Sequence, residues 1–146
     1  MSQASVKIKS ALTVIMLVAA GAGHSLADVS QGAGRIDYRI EIPAGDSDPA
    51  TFIPVTKIRG VKPGPTLFIS TGGHGYEFAP ILAAERLADE IDPNSLSGTV
   101  LLTRPSHVSA LEARSPYVNP YDRKNLNRSF PGKENSMQTE RVAHSM

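Results

Sequence analysis

The sequence predicts an α/β fold in which a mixed, mostly parallel sheet carries flanking helices. Two short, nearly all-apolar runs, at residues 66–71 and 99–103, are typical of strands that are covered on both faces. Between them, residues 78–91 repeat apolar side chains with a period near that of an α-helix, which predicts an amphipathic helix. A strand, a helix and a strand in this order indicate a layered α/β domain.

Composition and charge agree with a single domain and exclude several classes of protein. The 146-residue chain is 40% hydrophobic and 20% charged, which excludes a collagen-like, coiled-coil or wholly disordered chain. The net charge is +1, so the chain has no large basic field with which to bind nucleic acid or an anionic membrane. Because the chain has no cysteine, any metal must be held by histidine and carboxylate side chains.

The first residues, 1–27, have the pattern of a signal peptide. Lys7 and Lys9 form a positive start, residues 11–20 form an apolar run, and residues 25–27 (Ser-Leu-Ala) match a signal peptidase site. The apolar run is too short to span a bilayer comfortably, and the alternative is an uncleaved anchor or a buried helix. We therefore expect a periplasmic or secreted bacterial protein that has no membrane association after cleavage.

Residues 28–60 form a predicted N-terminal β segment. Apolar and polar side chains alternate over residues 35–42, which predicts a half-buried strand. A second strand is predicted over residues 51–58, and Pro54 within it favours an edge strand or a bulge. These two strands either join the main sheet or form a small separate flap.

The predicted elements continue beyond the helix at residues 78–91. A short helix is predicted over residues 106–113, and a final helix starts at Met137. Between them, residues 114–133 form a long polar loop rich in Pro, Asn and Arg. Loops of this length in a compact domain are usually functional.

The first candidate for chemistry is the pair His74 and Glu77. It directly follows an apolar strand and precedes a helix, at the edge of an α/β sheet where ligands usually bind. Residues three apart on a helical turn lie on one face, so the imidazole and the carboxylate can ligate one cation. The alternative is a surface histidine beside a glutamate that the helix dipole favours.

The second candidate is the segment 125–132 in the polar loop. The guanidinium of Arg128 can bind a carboxylate with two parallel hydrogen bonds, and Asn127 beside it offers both a donor and an acceptor. The alternative is a solvated loop with turn-forming residues. His107 and His144 lie in helix-like segments, and we interpret both as structural or exposed.

Together, the two candidate segments resemble the succinylglutamate desuccinylase and aspartoacylase family, a branch of the zinc carboxypeptidase-like hydrolases. The resemblance rests on a strand, the motif G-x-H-G-x-E, a helix, a strand and then K-N-L-N-R-S-F-P-G, and it covers roughly residues 64–146. It implies a zinc carboxypeptidase-like fold, of which residues 61–146 are the N-terminal half of the catalytic domain.

The resemblance also implies roles for individual residues. His74 and Glu77 match two zinc ligands, Asn127 and Arg128 match the substrate-binding pair, and Arg114 matches a further substrate arginine. The implied function is zinc-dependent hydrolysis of an amide bond in an N-acyl amino acid or peptide by a metal-activated water. The implied partner is a small-molecule substrate, whereas the oligomeric state is left open.

This sequence departs from the family pattern in three respects. Tyr76, between the two candidate metal ligands, stands where an acid or asparagine is common, and Asn125 stands where aspartate is common. In addition, the family uses a third zinc ligand, a histidine, and a glutamate general base downstream of the Asn-Arg pair, and the chain ends at Met146 before either. We therefore expect a truncated chain with poor or no hydrolase activity. The alternatives are a non-catalytic fragment or binding module, and a periplasmic zinc carboxypeptidase that acts on peptides.

Overall fold

The computed structural model describes residues 32–146, and the predicted signal peptide lies outside them. Within this part of the chain, no helix has the length and apolar character needed to cross a membrane. A single 3₁₀ turn, Leu126–Arg128, lies in the long polar loop. The strands and helices are β1 (Gly34–Ile42), β2 (Thr51–Arg59), β3 (Lys62–Ser70), α1 (Phe78–Glu90), β4 (Ser97–Thr103), α2 (Val108–Glu112) and α3 (Gln138–His144).

The strands form one mixed sheet in the order β1-β2-β4-β3. The β1–β2 and β2–β4 pairs are antiparallel, and only β3–β4 is parallel. The prediction of a mostly parallel sheet was therefore wrong. The direction of neighbouring strands depends on how the chain connects them. Parallel neighbours need a crossover, which α1 provides between β3 and β4, whereas the short loop between β1 and β2 reverses the chain and makes this pair antiparallel. The two N-terminal strands belong to the main sheet, since β2 pairs directly with β4.

Strand positions differ from the expectations drawn from local sequence. Residues 66–71 were expected to be covered on both faces, but β3 is one of the two edge strands of the described sheet, and Leu67 and Phe68 are 56% and 43% exposed. The expected edge strand, β2, instead lies between two neighbours. Pro54 is accommodated because the ladder to β4 covers only Val55 to Arg59, so that, of the described strands, β1 alone pairs with this residue.

Each face of the sheet has its own apolar cluster. Helix α1 covers one face through Ala84 and Ala88, which pack with Ile58, Val100 and Leu102. On the other face, α3 and the 3₁₀ turn pack on β1 and β2, in a cluster formed by Ile42, Ile53, Val55, Leu126, Val142 and Ala143. The long loop is thereby anchored to the sheet, because burial of each large aliphatic side chain contributes about 1.5–3 kcal/mol.

Two aspartates from distant parts of the chain hold the start of α3. Asp48 accepts a hydrogen bond from the backbone N of Gln138 at 3.0 Å and pairs with the guanidinium of Arg141. Asp122 accepts hydrogen bonds from the backbone N and the hydroxyl of Thr139, both at 2.8 Å. Burial opposes ionisation of Asp48, but the hydrogen bonds from Arg141 and Gln138 outweigh it and hold its pKa below the usual value.

Candidate metal and substrate site

The loop that carries His74 and Glu77 joins the carboxyl end of β3 to α1. It is tied to the segment that follows β4 by backbone hydrogen bonds. The N–H of Thr71 donates to the carbonyl of Thr103 at 3.0 Å, and the carbonyl of Thr71 accepts from the N–H of Ser106 at 2.7 Å. The loop is therefore fixed at the edge where β3 and β4 both end, which is where α/β sheets usually bind ligands.

His74 and Glu77 converge within this loop. The Nδ1 atom of His74 lies 2.7 Å from Oε1 of Glu77, and the backbone N of His74 donates to Oε2 of Glu77 at 3.0 Å. The side chains of His74 and Glu77 are 15% and 39% exposed. Burial acts to raise the pKa of Glu77, but hydrogen bonds from His74 outweigh it, so that its pKa is lowered and the carboxylate stays ionised at neutral pH.

The second ring nitrogen of His74 also has a partner. Its Nε2 atom lies 3.3 Å from Oδ1 of Asn125, and an amide oxygen can only accept, so that Nε2 carries the proton. Two arrangements of Nδ1 and Glu77 are then possible. Nδ1 either carries a second proton and donates it to the carboxylate, or it presents a lone pair that binds the same cation as the carboxylate. Metal-ligating histidines typically have a partner of this kind on the ring nitrogen that does not bind the metal.

The donor set fits zinc as two of its ligands. Imidazole nitrogen and carboxylate oxygen are ordinary zinc ligands, and catalytic zinc commonly has three protein ligands and one open position. Among residues 32–146, no group of three or more His, Cys, Asp or Glu side chains is placed to hold a metal ion. The described part of the chain therefore offers the His74–Glu77 pair and no third ligand.

The Asn-Arg segment packs beside this pair. Asn125 precedes the 3₁₀ turn, and its Oδ1 accepts from the backbone N of Asn127 at 2.9 Å as well as facing His74. Leu126 is buried, so its side chain anchors the turn to the apolar cluster on the sheet. A Cβ atom added to Gly73 would lie 3.2 Å from Oδ1 of Asn127, which places the Asn127 amide directly against the His74 loop.

A cavity of about 310 Å³ connects the two segments, and it is lined by Ser70, Thr71, Gly72, Gly73, Glu77, Pro80, Leu126, Asn127 and Phe130. Among the described residues that line the cavity, Glu77 is the only carboxylate, and Asn127 supplies the amide. Arg128 is exposed and lies next to the cavity in sequence but outside its lining. The cavity is therefore polar, open to solvent and bounded on one side by the candidate metal ligand.

Arg114 is also exposed, and the structure does not bring its side chain into the cavity. Its backbone has a positive φ of 49°, at the turn after α2. The next residue, Ser115, accepts a hydrogen bond from the backbone N of Gly75 at 2.8 Å. Of the residues predicted from sequence, the structure thus brings together His74, Glu77 and Asn127, whereas Arg128 and Arg114 face solvent nearby.

Two residues that sequence reasoning did not assign to the site contact the His74 loop. Tyr117 places its ring edge-on to the ring of His74, with 5.6 Å between centroids. His107 is 1% exposed, and its Nδ1 lies 3.2 Å from the carbonyl oxygen of Gly73. Burial lowers the pKa of His107 despite the hydrogen bond to Gly73, so the ring is neutral at pH 7. No local sequence pattern identifies either contact, because both partners are distant in the chain.

Comparison with known proteins decides the family. The family model that describes the succinylglutamate desuccinylase/aspartoacylase catalytic domain matches residues 63–146 of this chain. The chain belongs to this family. It is 34% identical over 94 residues to the N-alpha-acetyl-L-2,4-diaminobutyric acid deacetylase of Halomonas elongata, an alignment that covers 64% of this chain and 27% of the deacetylase.

Solved structures of the family share the fold. An aspartoacylase family protein of Mesorhizobium loti matches with a TM-score of 0.72 and 29% identity, over 79% of this chain and 36% of that one. A succinylglutamate desuccinylase/aspartoacylase of Rhodobacter sphaeroides matches with a TM-score of 0.70 and 25% identity, over 80% and 36%. The product-bound ectoine utilization protein of Ruegeria pomeroyi matches with a TM-score of 0.68 and 29% identity, over 78% and 35%. The chain thus spans about a third of the length of these family structures.

Proposed function

We propose that this chain forms part of a zinc-dependent deacylase site that acts on the amide bond of an N-acyl amino acid. The observation that carries the proposal is the convergence of Nδ1 of His74 and Oε1 of Glu77 at 2.7 Å, with Asn125 on the other ring nitrogen. Membership of a deacylase family and the likeness to an N-acetyl amino acid deacetylase support the substrate class.

The proposed roles of the metal ligands follow from their chemistry. His74 supplies a neutral nitrogen and Glu77 a negative oxygen to the same ion, and the contact to Asn125 holds the imidazole in the orientation that binding requires. When bound, zinc supplies a Lewis acid that polarises a carbonyl and activates water.

The proposed substrate contacts lie along the cavity. The Asn127 amide, which faces the cavity, can accept from or donate to the amide of the substrate. Arg128 is exposed beside it, and its guanidinium can bind the substrate carboxylate with two parallel hydrogen bonds. A carboxylate fixed at this point would orient the scissile amide towards His74 and Glu77, and such positioning lowers the barrier to reaction.

The same lining limits what the chain does alone. Within residues 32–146, Glu77 is the only carboxylate that lines the cavity, and as a metal ligand it does not also serve as general base. We therefore propose that the 146-residue chain binds zinc and an N-acyl amino acid but turns the substrate over poorly. A non-catalytic binding module is the second candidate, and the two-ligand donor set favours it.

One assay distinguishes these proposals. The purified chain is titrated with zinc and then with N-acetyl amino acids, N-succinylglutamate and acetylated dipeptides, while binding is followed by calorimetry and acyl release by a coupled assay. The deacylase proposal expects substrate binding that depends on zinc and is lost in His74→Ala. Substrate binding of equal strength with and without zinc would favour the binding module, and rapid turnover would contradict the expectation of poor activity.

The cellular location is a separate proposal. On the pattern of residues 1–27, we propose that the chain is exported and cleaved before Asp28. Mass spectrometry of the protein from the periplasm and the medium of an expressing bacterium tests this: an N-terminus at Asp28 is expected, and an intact Met1 in the cytoplasm would contradict it.

A further inference from the structure

We propose that His107 is a positioning residue for the His74–Glu77 pair, acting through the peptide bond between Gly73 and His74. This inference rests on the proposed metal site. His107 lies 34 positions from Gly73 in the chain, at the start of α2, and contacts neither His74 nor Glu77 by a hydrogen bond. The contact of its side chain with the site is the hydrogen bond from Nδ1 to the carbonyl oxygen of Gly73 at 3.2 Å.

Three successive carbonyl groups before His74 each accept a hydrogen bond from the segment that follows β4. The carbonyl of Thr71 accepts from the backbone N of Ser106, and the carbonyl of Gly72 accepts from the backbone N of His107. Any residue except proline at positions 106 and 107 would make these two bonds. The carbonyl of Gly73 is different, because it accepts from the side chain of His107 and therefore depends on which residue stands there.

Peptide planarity transmits this contact to the metal ligands. The carbonyl of Gly73 and the N–H of His74 belong to one planar peptide unit, so fixing the direction of one fixes the other. The N–H of His74 donates to Oε2 of Glu77 at 3.0 Å. The unit is thus held on one side by His107 and on the other by Glu77. Gly73 has no side chain to restrict its rotation, so without His107 this peptide could turn away.

The burial of His107 agrees with a polar role. The ring is 1% exposed, and a carbonyl can only accept, so that Nδ1 carries the proton. Nε2 is then an acceptor, and it has no hydrogen-bond partner among the residues that the structure describes. An apolar side chain would fill the same space without leaving a nitrogen unpaired, so packing alone does not account for histidine at this position.

The test compares three substitutions that differ in their donors. His107→Asn retains an N–H close to the place of Nδ1, His107→Gln moves it towards the place of Nε2, and His107→Leu removes it. Ile58→Val serves as the control, because Ile58 is buried in the apolar cluster under α1, and this cluster includes no residue of the His74 loop. The affinity of each 146-residue variant for Co²⁺ is measured by visible absorption, and the exchange rate of the His74 amide is measured by NMR without metal.

The proposal expects a graded result. His107→Leu and His107→Gln should bind Co²⁺ about tenfold more weakly, as is typical when a partner of a metal ligand is lost. Both should also exchange the His74 amide about tenfold faster. His107→Asn should restore both quantities to within about threefold of the original protein. Ile58→Val should lower the Tm but leave the Co²⁺ affinity and the exchange rate of the His74 amide unchanged.

The opposite result would overturn the proposal. An unchanged His74 exchange rate in His107→Leu, or a His107→Asn protein no better than His107→Gln, would show that the ring has only a packing role. If His107→Leu does not fold, the comparison of Asn with Gln still decides. If the original protein binds no Co²⁺, the metal site is wrong, whereas the exchange of the His74 amide in metal-free protein still tests His107.

Discussion

Replacing Asn125 with aspartate tests how the chain prepares His74 for a cation. Asn125 Oδ1 faces Nε2 of His74 at 3.3 Å and also accepts from the backbone N of Asn127 at 2.9 Å. Asn125→Asp keeps the size and both acceptor contacts but makes the partner of His74 negative. A carboxylate partner makes a bound imidazole a stronger donor to a metal, so we expect tighter zinc binding.

The size of the effect follows from the type of hydrogen bond. A neutral hydrogen bond contributes about 0.5–1.5 kcal/mol and one to a charged group about 1.5–3 kcal/mol, so the expected gain is about 1–1.5 kcal/mol. That corresponds to about a tenfold lower Kd for zinc. Asn125→Leu removes the acceptor and should weaken zinc binding about 10-fold to 100-fold.

Competition calorimetry at pH 8 measures these changes. Asn94→Asp is the matched control, because Asn94 is exposed beyond the far end of α1 and its substitution adds the same charge away from the site. A zinc Kd that is unchanged or higher in Asn125→Asp would refute the reasoning. An equal gain in Asn94→Asp would show that net charge, and not the contact with His74, sets the affinity.

Three further predictions concern the substrate contact and the stability of the fold. Arg128→Ala should weaken binding of an N-acyl amino acid about tenfold or more, through loss of a charged hydrogen bond. It should leave zinc affinity unchanged, and Arg123→Ala, a nearby exposed arginine, should change neither. Leu126→Ala should lower the free energy of unfolding by about 2–5 kcal/mol, since this side chain is buried between the loop and the sheet. A loss below about 1 kcal/mol in urea denaturation would contradict that packing. The pKa of Asp48 is lower in the folded than in the unfolded state, so its ionised carboxylate stabilises the folded protein. This contribution to the free energy of unfolding is complete above the unfolded pKa of 3.8, and it is lost as the pH falls through the folded pKa. Urea denaturation at pH 7 and pH 3 should therefore show that Asp48→Asn loses less free energy of unfolding on acidification than the original protein does. An equal loss in both proteins would contradict this role of Asp48.

Local patterns in the sequence were sufficient to predict most of the elements. Alternation over residues 35–42 predicted β1, and the helical period over residues 78–91 predicted α1, to within a residue at either end. Both patterns arise from one face of an element packing on a core. The burial of β3 was not predictable in this way, because exposure of Leu67 and Phe68 depends on which strands and helices lie beside them.

The same distinction separates the parts of the site. His74 and Glu77 are three residues apart, so their proximity follows from local geometry alone. His107 depends on a carbonyl 34 residues away, and local sequence gives no sign of it. The helix start at α3 is similar, since Asp48 reaches it from 90 positions away. Contacts of this kind are fixed by topology and not by the residues around them.

The most direct test of the account is the number and coordination of zinc ions bound by the purified chain. We expect one zinc per chain, with X-ray absorption showing one imidazole nitrogen at about 2.0–2.1 Å and one carboxylate oxygen at about 2.0–2.2 Å from the protein. Glu77→Gln and His74→Ala should each abolish this signal. Absence of bound zinc at micromolar concentration, or a spectrum unchanged in both variants, would contradict the claim that His74 and Glu77 hold one metal ion together.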